Sequence, residues 1–306
     1  MNILVTGGAG FIGSHVVDAL IEKDHNVVVI DNLSSGLKNN LNPAAIFYEM
    51  DIADKRVSKI FEKHNFDIVN HHAAQANVNV SVENPVLDAK SNILGLVNLL
   101  ENSVKYKVKK FINISSGGAI YGDDAELPVI ESAKKDPKSP YGISKFTGEL
   151  LLKFYNKTYN LNYITLRYSN VYGLRQEAGV ISIFASKMLK GEQPVIYGTG
   201  KQTRDYVYVK DVVSANILAI EKGEGEINIG TETETDINGL FDVIKKLTKY
   251  KGKAKYLEQR QGEVIRSMLA IKEAEKRISW KPKYSLESGI KDILKANNYR
   301  TFVCFS

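Results

Sequence analysis

Cysteine is nearly absent from this chain: of 306 residues only Cys304 carries a thiol. A lone thiol cannot close an internal disulfide, and nothing around it suggests a catalytic or metal arrangement. Long hydrophobic runs are missing too, so no stretch reaches the length needed to cross a bilayer. Residues 1–7 carry neither a basic segment nor an extended apolar core, which argues against a signal peptide and leads us to expect a cytoplasmic protein. Charge of one sign is scarce as well. Lys and Arg number 41 against 35 Asp and Glu, a net charge of +6, and the lysine-rich stretches at 105–110, 245–255 and near 281 lie far apart. A nucleic-acid surface would need a concentrated basic stripe with stacking aromatics. These lysines read instead as a solvated surface that could help attract an anionic substrate, with no nucleic-acid and no membrane partner. There is no internal repeat, low-complexity tract or obvious flexible linker. With 43% hydrophobic and 25% charged residues, the composition is that of a globular protein with a well-filled core.

What is present is a regular alternation. Apolar runs at 3–5, 27–30, 46–50, 67–70, 110–114 and 163–167 scarcely alternate and read as strands buried on both faces. Helical periodicity fills the intervals at 11–22, 56–63, 86–105 and 141–159. Strands alternating with helices predict a parallel sheet wrapped on both sides, and the right-handed crossover rule makes it doubly wound. After about residue 170 the rhythm changes. Helical patterns at 181–190, 212–222, 237–247 and 286–295 are joined by longer polar connections, with short apolar runs at 195–197 and 227–229. We expect residues 1–169 to form the first domain and 170–306 a smaller mixed α/β domain, some of whose segments return to the first. The crevice between them is the default ligand site.

The stretch Thr6-Gly7-Gly8-Ala9-Gly10-Phe11-Ile12-Gly13 directly follows the first strand and opens the first helix. Gly7 permits a tight turn, Gly10 lets the backbone approach a pyrophosphate, and Gly13 lets helix and strand pack closely. The helix N-terminus offers unpaired N–H groups to the anion. Asp31 ends the second strand 18 residues beyond Gly13. A carboxylate there accepts hydrogen bonds from ribose hydroxyls and repels a 2′-phosphate, so the cofactor expected is NAD rather than NADP.

Tyr141 and Lys145 stand four residues apart near a helix start and so share one face. A nearby cation favours phenolate over phenol and is expected to lower the tyrosine pKa toward a useful range for a base. Ser115 and Ser116 lie where the 110–114 strand runs out, at the edge where ligands bind in this architecture. There a hydroxyl could share a substrate proton with Tyr141, or the serines could simply terminate the strand.

Taken together these residues resemble the extended short-chain dehydrogenase/reductase family, with its NAD-binding Rossmann domain, and within it the enzymes that epimerise UDP-hexoses at C4. The resemblance runs from residue 1 to about 284. Its further signposts are Asp31-Asn32-Leu33-Ser34-Ser35-Gly36, Asp51-Ile52, His72-Ala73-Ala74-Gln75, Arg167-Tyr168-Ser169-Asn170-Val171-Tyr172-Gly173 and Arg204-Asp205-Tyr206-Val207. The resemblance implies catalysis by Tyr141, Lys145 and Ser116, with NAD held by Gly7, Gly10, Phe11, Ile12, Gly13, Asp31, Asn32, Ser34 and Gly36 as well as by Tyr141 and Lys145. It places Asp51 and Ile52 beside the adenine, and Ala73, Gln75 and Asn92 along the cofactor. On the substrate side it implies Ser116, then Asn170 on the diphosphate or sugar, Val195 and Tyr197 by the uracil, Arg204 and Arg260 on the diphosphate, and Glu263 on the uridine ribose. A planar guanidinium suits a phosphate clamp because it makes two charge-assisted bonds at once. A homodimer is implied through the helices at 86–105 and 141–159.

Two departures from the family pattern bear on the reaction. The usual Ser/Thr position falls on Gly117, which moves the hydroxyl role to Ser116, and a position often bulky in epimerases restricted to plain hexoses is Ser267. A small residue there leaves room for an N-acetyl group at C2 of the sugar. UDP-N-acetylhexosamine and UDP-glucuronate therefore stand as alternative substrates. A 4,6-dehydratase would be expected to carry an Asp-Glu pair where Gly117-Gly118 stand. A non-catalytic NAD-binding sensor would be expected to have lost Tyr141 or Lys145.

Overall fold

The structure is a computed structural model and describes residues 1–258 and 264–303. Arg260, Glu263 and Cys304, named above, lie outside the described residues. The first six strands are β1 (Asn2–Thr6), β2 (Asn26–Asp31), β3 (Ile46–Glu49), β4 (Ile68–His71), β5 (Lys110–Ser116) and β6 (Tyr163–Tyr168). With the strand Gly225–Ile229 they form one seven-stranded sheet in the order Gly225–Ile229, β6, β5, β4, β1, β2, β3. Every pairing in it is parallel. Connections travel outward from β1 through β2 to β3, then restart on its other side at β4. Thr6 is thus in register with Ile30 on one side and His71 on the other. The chain leaves both central strands at this reversal, where a crevice opens beyond their carboxyl ends.

Burial explains the apolar runs. Residues 3–6 of β1 and all of β4 and β6 are buried, because helices cover both faces. One face packs against α1 (Phe11–Ile21), the helix Val209–Glu221 and Trp280, through Val16, Val17, Leu20, Val212 and Ala215. The other packs against α2 (Val57–His64) and the helices Gly95–Lys105 and Pro140–Tyr159, through Ile60, Phe61, Leu99, Leu100 and Leu152. Each such apolar side chain contributes about 1.5–3 kcal/mol on full burial.

The smaller mixed α/β region has its own core of Ile181, Phe184, Leu240, Phe241, Ile244 and Ile290. Three two-stranded sheets accompany it: Asn170–Tyr172 with Tyr206–Tyr208, Thr203–Arg204 with Thr235–Asp236, and Val195–Tyr197 with Lys255–Leu257. The helix Val209–Glu221 and the strand Gly225–Ile229 go back to the large sheet.

Two expectations need correction. The run at 46–50 is not buried on both faces: β3 is an edge strand and Ile46 is 51% exposed. The pattern at 86–105 is not one regular helix. Asn84 caps Pro85–Ala89, a π turn spans Lys90–Leu94, and an α-helix resumes at Gly95. The wider turn accompanies a close approach at Gly95, where a Cβ would stand 2.6 Å from the Ile52 side chain.

Candidate active site

The glycine loop shows why its residues cannot be larger. Gly7 has φ +71°, and a Cβ on it would stand 2.6 Å from the Ala73 amide nitrogen. A Cβ on Gly13 would stand 2.3 Å from the Gly7 carbonyl oxygen. The loop is therefore pressed against the chain leaving β4, with α1 pointing its N-terminus at the crevice. Asp31 accepts the Ala9 amide at 3.0 Å and the Leu33 amide at 2.8 Å. Asp51 accepts from the Ala53 amide at 2.8 Å and from Asn32 at 3.3 Å.

A cleft of about 930 Å³ opens here. Gly7, Gly10, Phe11, Asp31, Asn32, Ser34, Asp51, Ile52, Ala73 and Gln75 all line it. Of the other residues expected on the cofactor, Gly13 and Gly36 are closely packed against Gly7 and Ala9, and Ile12 packs against the hydrophobic core. Asn92 lies a layer behind, 5% exposed, with its amide on the main chain of Gln75. A cradle that a Cβ would fill, a helix N-terminus and a carboxylate at the end of β2 together suit a dinucleotide.

A second cavity, of about 530 Å³, is lined by Asn170, Val195, Tyr197 and Arg204. Gln176 and Gly179 belong to the walls of both cavities, so the two meet at this loop. Gln176, Lys187 and Gln202 were not anticipated from the sequence, because isolated polar residues outside a motif carry no local signal there. His72, which lines the first cleft, was legible only as part of a signpost.

Ser139 caps the helix Pro140–Tyr159 by accepting the Gly142 amide at 3.1 Å, and Pro140 occupies the first turn. This start fixes the rotation that turns Tyr141 and Lys145 inward. The Lys145 ammonium donates to the Ile114 carbonyl at 3.0 Å and lies 5.9 Å from the centre of the Tyr141 ring. Ser116 stands close enough to the Tyr141 hydroxyl to favour its ionised form. A Cβ on Gly117 would meet the Leu269 side chain at 2.5 Å, so this position has no room for a larger residue unless Leu269 shifts. Ser115 is buried, and its hydroxyl has no partner among the described residues.

Contrary to the expectation of a lowered tyrosine pKa, Tyr141 is pushed up to about 12. Burial dominates, Ser116 opposes it, and the negative charge of Asp88 adds to it. Burial lowers Lys145 to about 8 against the support of Asp88 and Glu149. His71 and His72 are pushed down, first by burial and then by the Lys145 cation, His72 to about 3. Both imidazoles are neutral at physiological pH. Among the described residues no grouping of three or more side chains could hold a metal ion.

Residues 3–230 match the NAD dependent epimerase/dehydratase family, and the chain belongs to that family. It is 51% identical over 305 residues to a putative UDP-glucose 4-epimerase of Methanocaldococcus jannaschii, covering 98% of this chain and 100% of that one. The fold is similar to a crystal structure of UDP-glucose 4-epimerase with UDP-glucose from Thermotoga maritima, at TM-score 0.96, 50% identity and 99% and 100% coverage. It is also similar to a Thermus thermophilus UDP-glucose 4-epimerase in complex with NAD, at TM-score 0.92, 40% identity and 98% and 99% coverage.

Proposed function

We propose that this protein is a UDP-glucose 4-epimerase, an NAD-dependent isomerase of carbohydrate metabolism that interconverts UDP-galactose and UDP-glucose through a 4-keto intermediate. The observation that carries the reading is the meeting of two cavities, one suited to a dinucleotide and one lined by Asn170, Tyr197 and Arg204, in a fold that also turns the half-buried Tyr141 and Lys145 toward the end of β5. NAD would rest on Gly7, Gly10, Asp31 and Asp51. When bound, it supplies the hydride acceptor, and in reduced form the hydride donor, at C4 of the hexose. Tyr141, ionised against the upward pull of burial and Asp88, takes the proton of the sugar 4-hydroxyl and gives it back at the end of the turnover. Ser116 beside it favours the phenolate, and Lys145 supplies the cation one turn along the helix. Arg204 and Asn170 grip the diphosphate and Tyr197 faces the base, so the nucleotide stays held while the keto sugar turns over. Arg260 and Glu263 complete that grip in this reading.

A second reading is favoured by one feature. Ser267 is buried near Gly118, where an added Cβ would be in ordinary van der Waals contact with the Asn170 amide oxygen at 3.8 Å and the Ser267 hydroxyl at 4.0 Å. The small side chain at 267 is what favours a C2 N-acetyl group, so UDP-N-acetylhexosamine is the alternative substrate, with UDP-glucuronate third.

On this reading residues 1–169, with the helix Val209–Glu221 and the strand Gly225–Ile229, hold NAD, and the rest of 170–306 holds the nucleotide sugar. The enzyme works in the cytoplasm as a homodimer and has no nucleic-acid partner. Support for the dimer comes from Ile143, Leu150 and Phe154, spaced along one face of the helix Pro140–Tyr159 and each more than half exposed. Among the described residues no helix is long and apolar enough to cross a membrane.

The test is a product scan. Purified protein shown to contain NAD is incubated separately with UDP-galactose, UDP-N-acetylgalactosamine and UDP-galacturonate, without added reductant, and followed by anomeric proton NMR. Fastest appearance of UDP-glucose is expected. Preference for the N-acetyl sugar would transfer the assignment to it, and no conversion of any of the three would overturn the epimerase reading.

A further inference from the structure

Asp88 lies in the short helix Pro85–Ala89, just before the π turn Lys90–Leu94, and is 1% exposed. A carboxylate so far from water requires partners. Its Oδ1 accepts from Gln75 Nε2 at 3.1 Å and from Asn92 Nδ2 at 3.0 Å. The same Asn92 amide donates to the Gln75 carbonyl at 3.0 Å and to Ser144 Oγ at 3.1 Å, while its oxygen accepts the Gln75 amide at 2.9 Å. Ser144 in turn donates to the Tyr141 carbonyl at 3.0 Å. One buried network thus joins the loop lining the cofactor cleft to the turn of helix between Tyr141 and Lys145. The π turn that follows is a distortion that recurs at functional sites.

The balance of buried charge is equally specific. Lys145 is faced by Asp88 from the helix Pro85–Ala89, by His71 and His72 from the end of β4, by the Ile114 carbonyl from β5, and by Tyr141 and Glu149 from its own helix. Glu149 is already spent. It forms a two-pronged pair with Arg167 of β6, with Nε to Oε1 at 2.9 Å and Nη2 to Oε2 at 2.6 Å, both side chains essentially without exposure. The histidines are neutral, so Asp88 is the carboxylate left to balance Lys145.

We propose that Asp88 is a positioning residue for the reaction, whose negative charge balances the Lys145 ammonium and whose Oδ1 ties the cofactor loop to the catalytic helix. The proposal rests on the reading of Tyr141 and Lys145 as the reacting pair. An anion raises the proton affinity of both groups, so neutralising it lowers both.

Asp88→Asn removes the charge and keeps an oxygen to accept the two hydrogen bonds. The direct readout is 13Cε NMR of labelled lysine in the NAD-containing protein, with the Lys145 signal assigned by its loss in Lys145→Met. The wild-type midpoint is expected near 8. In Asp88→Asn it is expected to fall by about one pH unit, a tenfold loss of proton affinity. The pH profile of epimerisation should move to lower pH with it, a displacement that a purely structural role would not produce. Should Asp88→Asn fail to fold, Asp88→Ser is the second neutral variant, and the same displacement is required of it. An unmoved Lys145 midpoint in a folded neutral variant overturns the proposal. Because the midpoint is read without substrate, a wild-type protein that epimerises nothing would defeat the proposed function and leave this measurement standing.

Discussion

In the proposed reaction Tyr141 concentrates the chemistry because its hydroxyl stands by Ser116 at the end of β5, with the Lys145 ammonium 5.9 Å from the centre of its ring. Tyr141→Phe removes one oxygen and leaves the ring packing and the Ser139 cap in place. Loss of a positioned base costs about 10²–10⁴ in rate. We expect kcat to fall in that range with NAD content and thermal stability unchanged, measured by coupled turnover and by the absorbance of acid-released cofactor. Turnover within a few-fold of wild type would remove Tyr141 from its role. The pair itself was legible because its four-residue spacing survives in any helix. The direction of the Tyr141 shift was not. Sequence shows that a lysine is near, but burial and the placing of Asp88, 53 positions away, outweigh it. Asn92 shows the same limit: its side chain faces Gln75 and Ser144 behind the cleft wall, a choice of layer that spacing does not encode.

Among the elements, the helix Pro140–Tyr159 and strand β6 depend on each other through Glu149 and Arg167. Burial works against the Arg167 charge, yet the Glu149 fork and the Tyr121 hydroxyl, accepting at 2.7 Å, hold the guanidinium firmly protonated. Removing one partner of such a pair strands the other's charge, at about 3–5 kcal/mol. Glu149→Gln should therefore lower the free energy of urea unfolding by that amount, and a loss under about 1 kcal/mol would show the pair to be dispensable. Strand and helix positions were largely legible from apolar runs and periodicity, and the runs at 195–197 and 163–167 became strands with nearly the expected bounds. The exposed edge of β3 and the π turn were not. The first depends on strand order, and the second on how closely Gly95 must approach Ile52.

For the molecule as a whole, the exposed apolar face of the helix Pro140–Tyr159 predicts assembly. Leu150 and Phe154 are each 51% exposed, and a charge there should split a homodimer. We expect wild-type protein to sediment as a dimer at micromolar concentration and Leu150→Lys/Phe154→Glu to sediment at the 34.1 kDa of one chain. A monomeric wild type would dismiss the dimer. Chain order already carried the parallel sheet, the glycine loop, Asp31 at the end of β2 and the Tyr141–Lys145 face, because each follows from contacts or repeats within a few tens of residues. The sheet order, the return of Gly225–Ile229 to β6, the meeting of Asn170 and Arg204 in one cavity, and the convergence of Asp88, Asn92 and Ser144 beside Lys145 all join distant segments. Those depend on how helices and strands pack, since only the burial of apolar faces brings such residues to one place and strips away the water that would otherwise screen their charges.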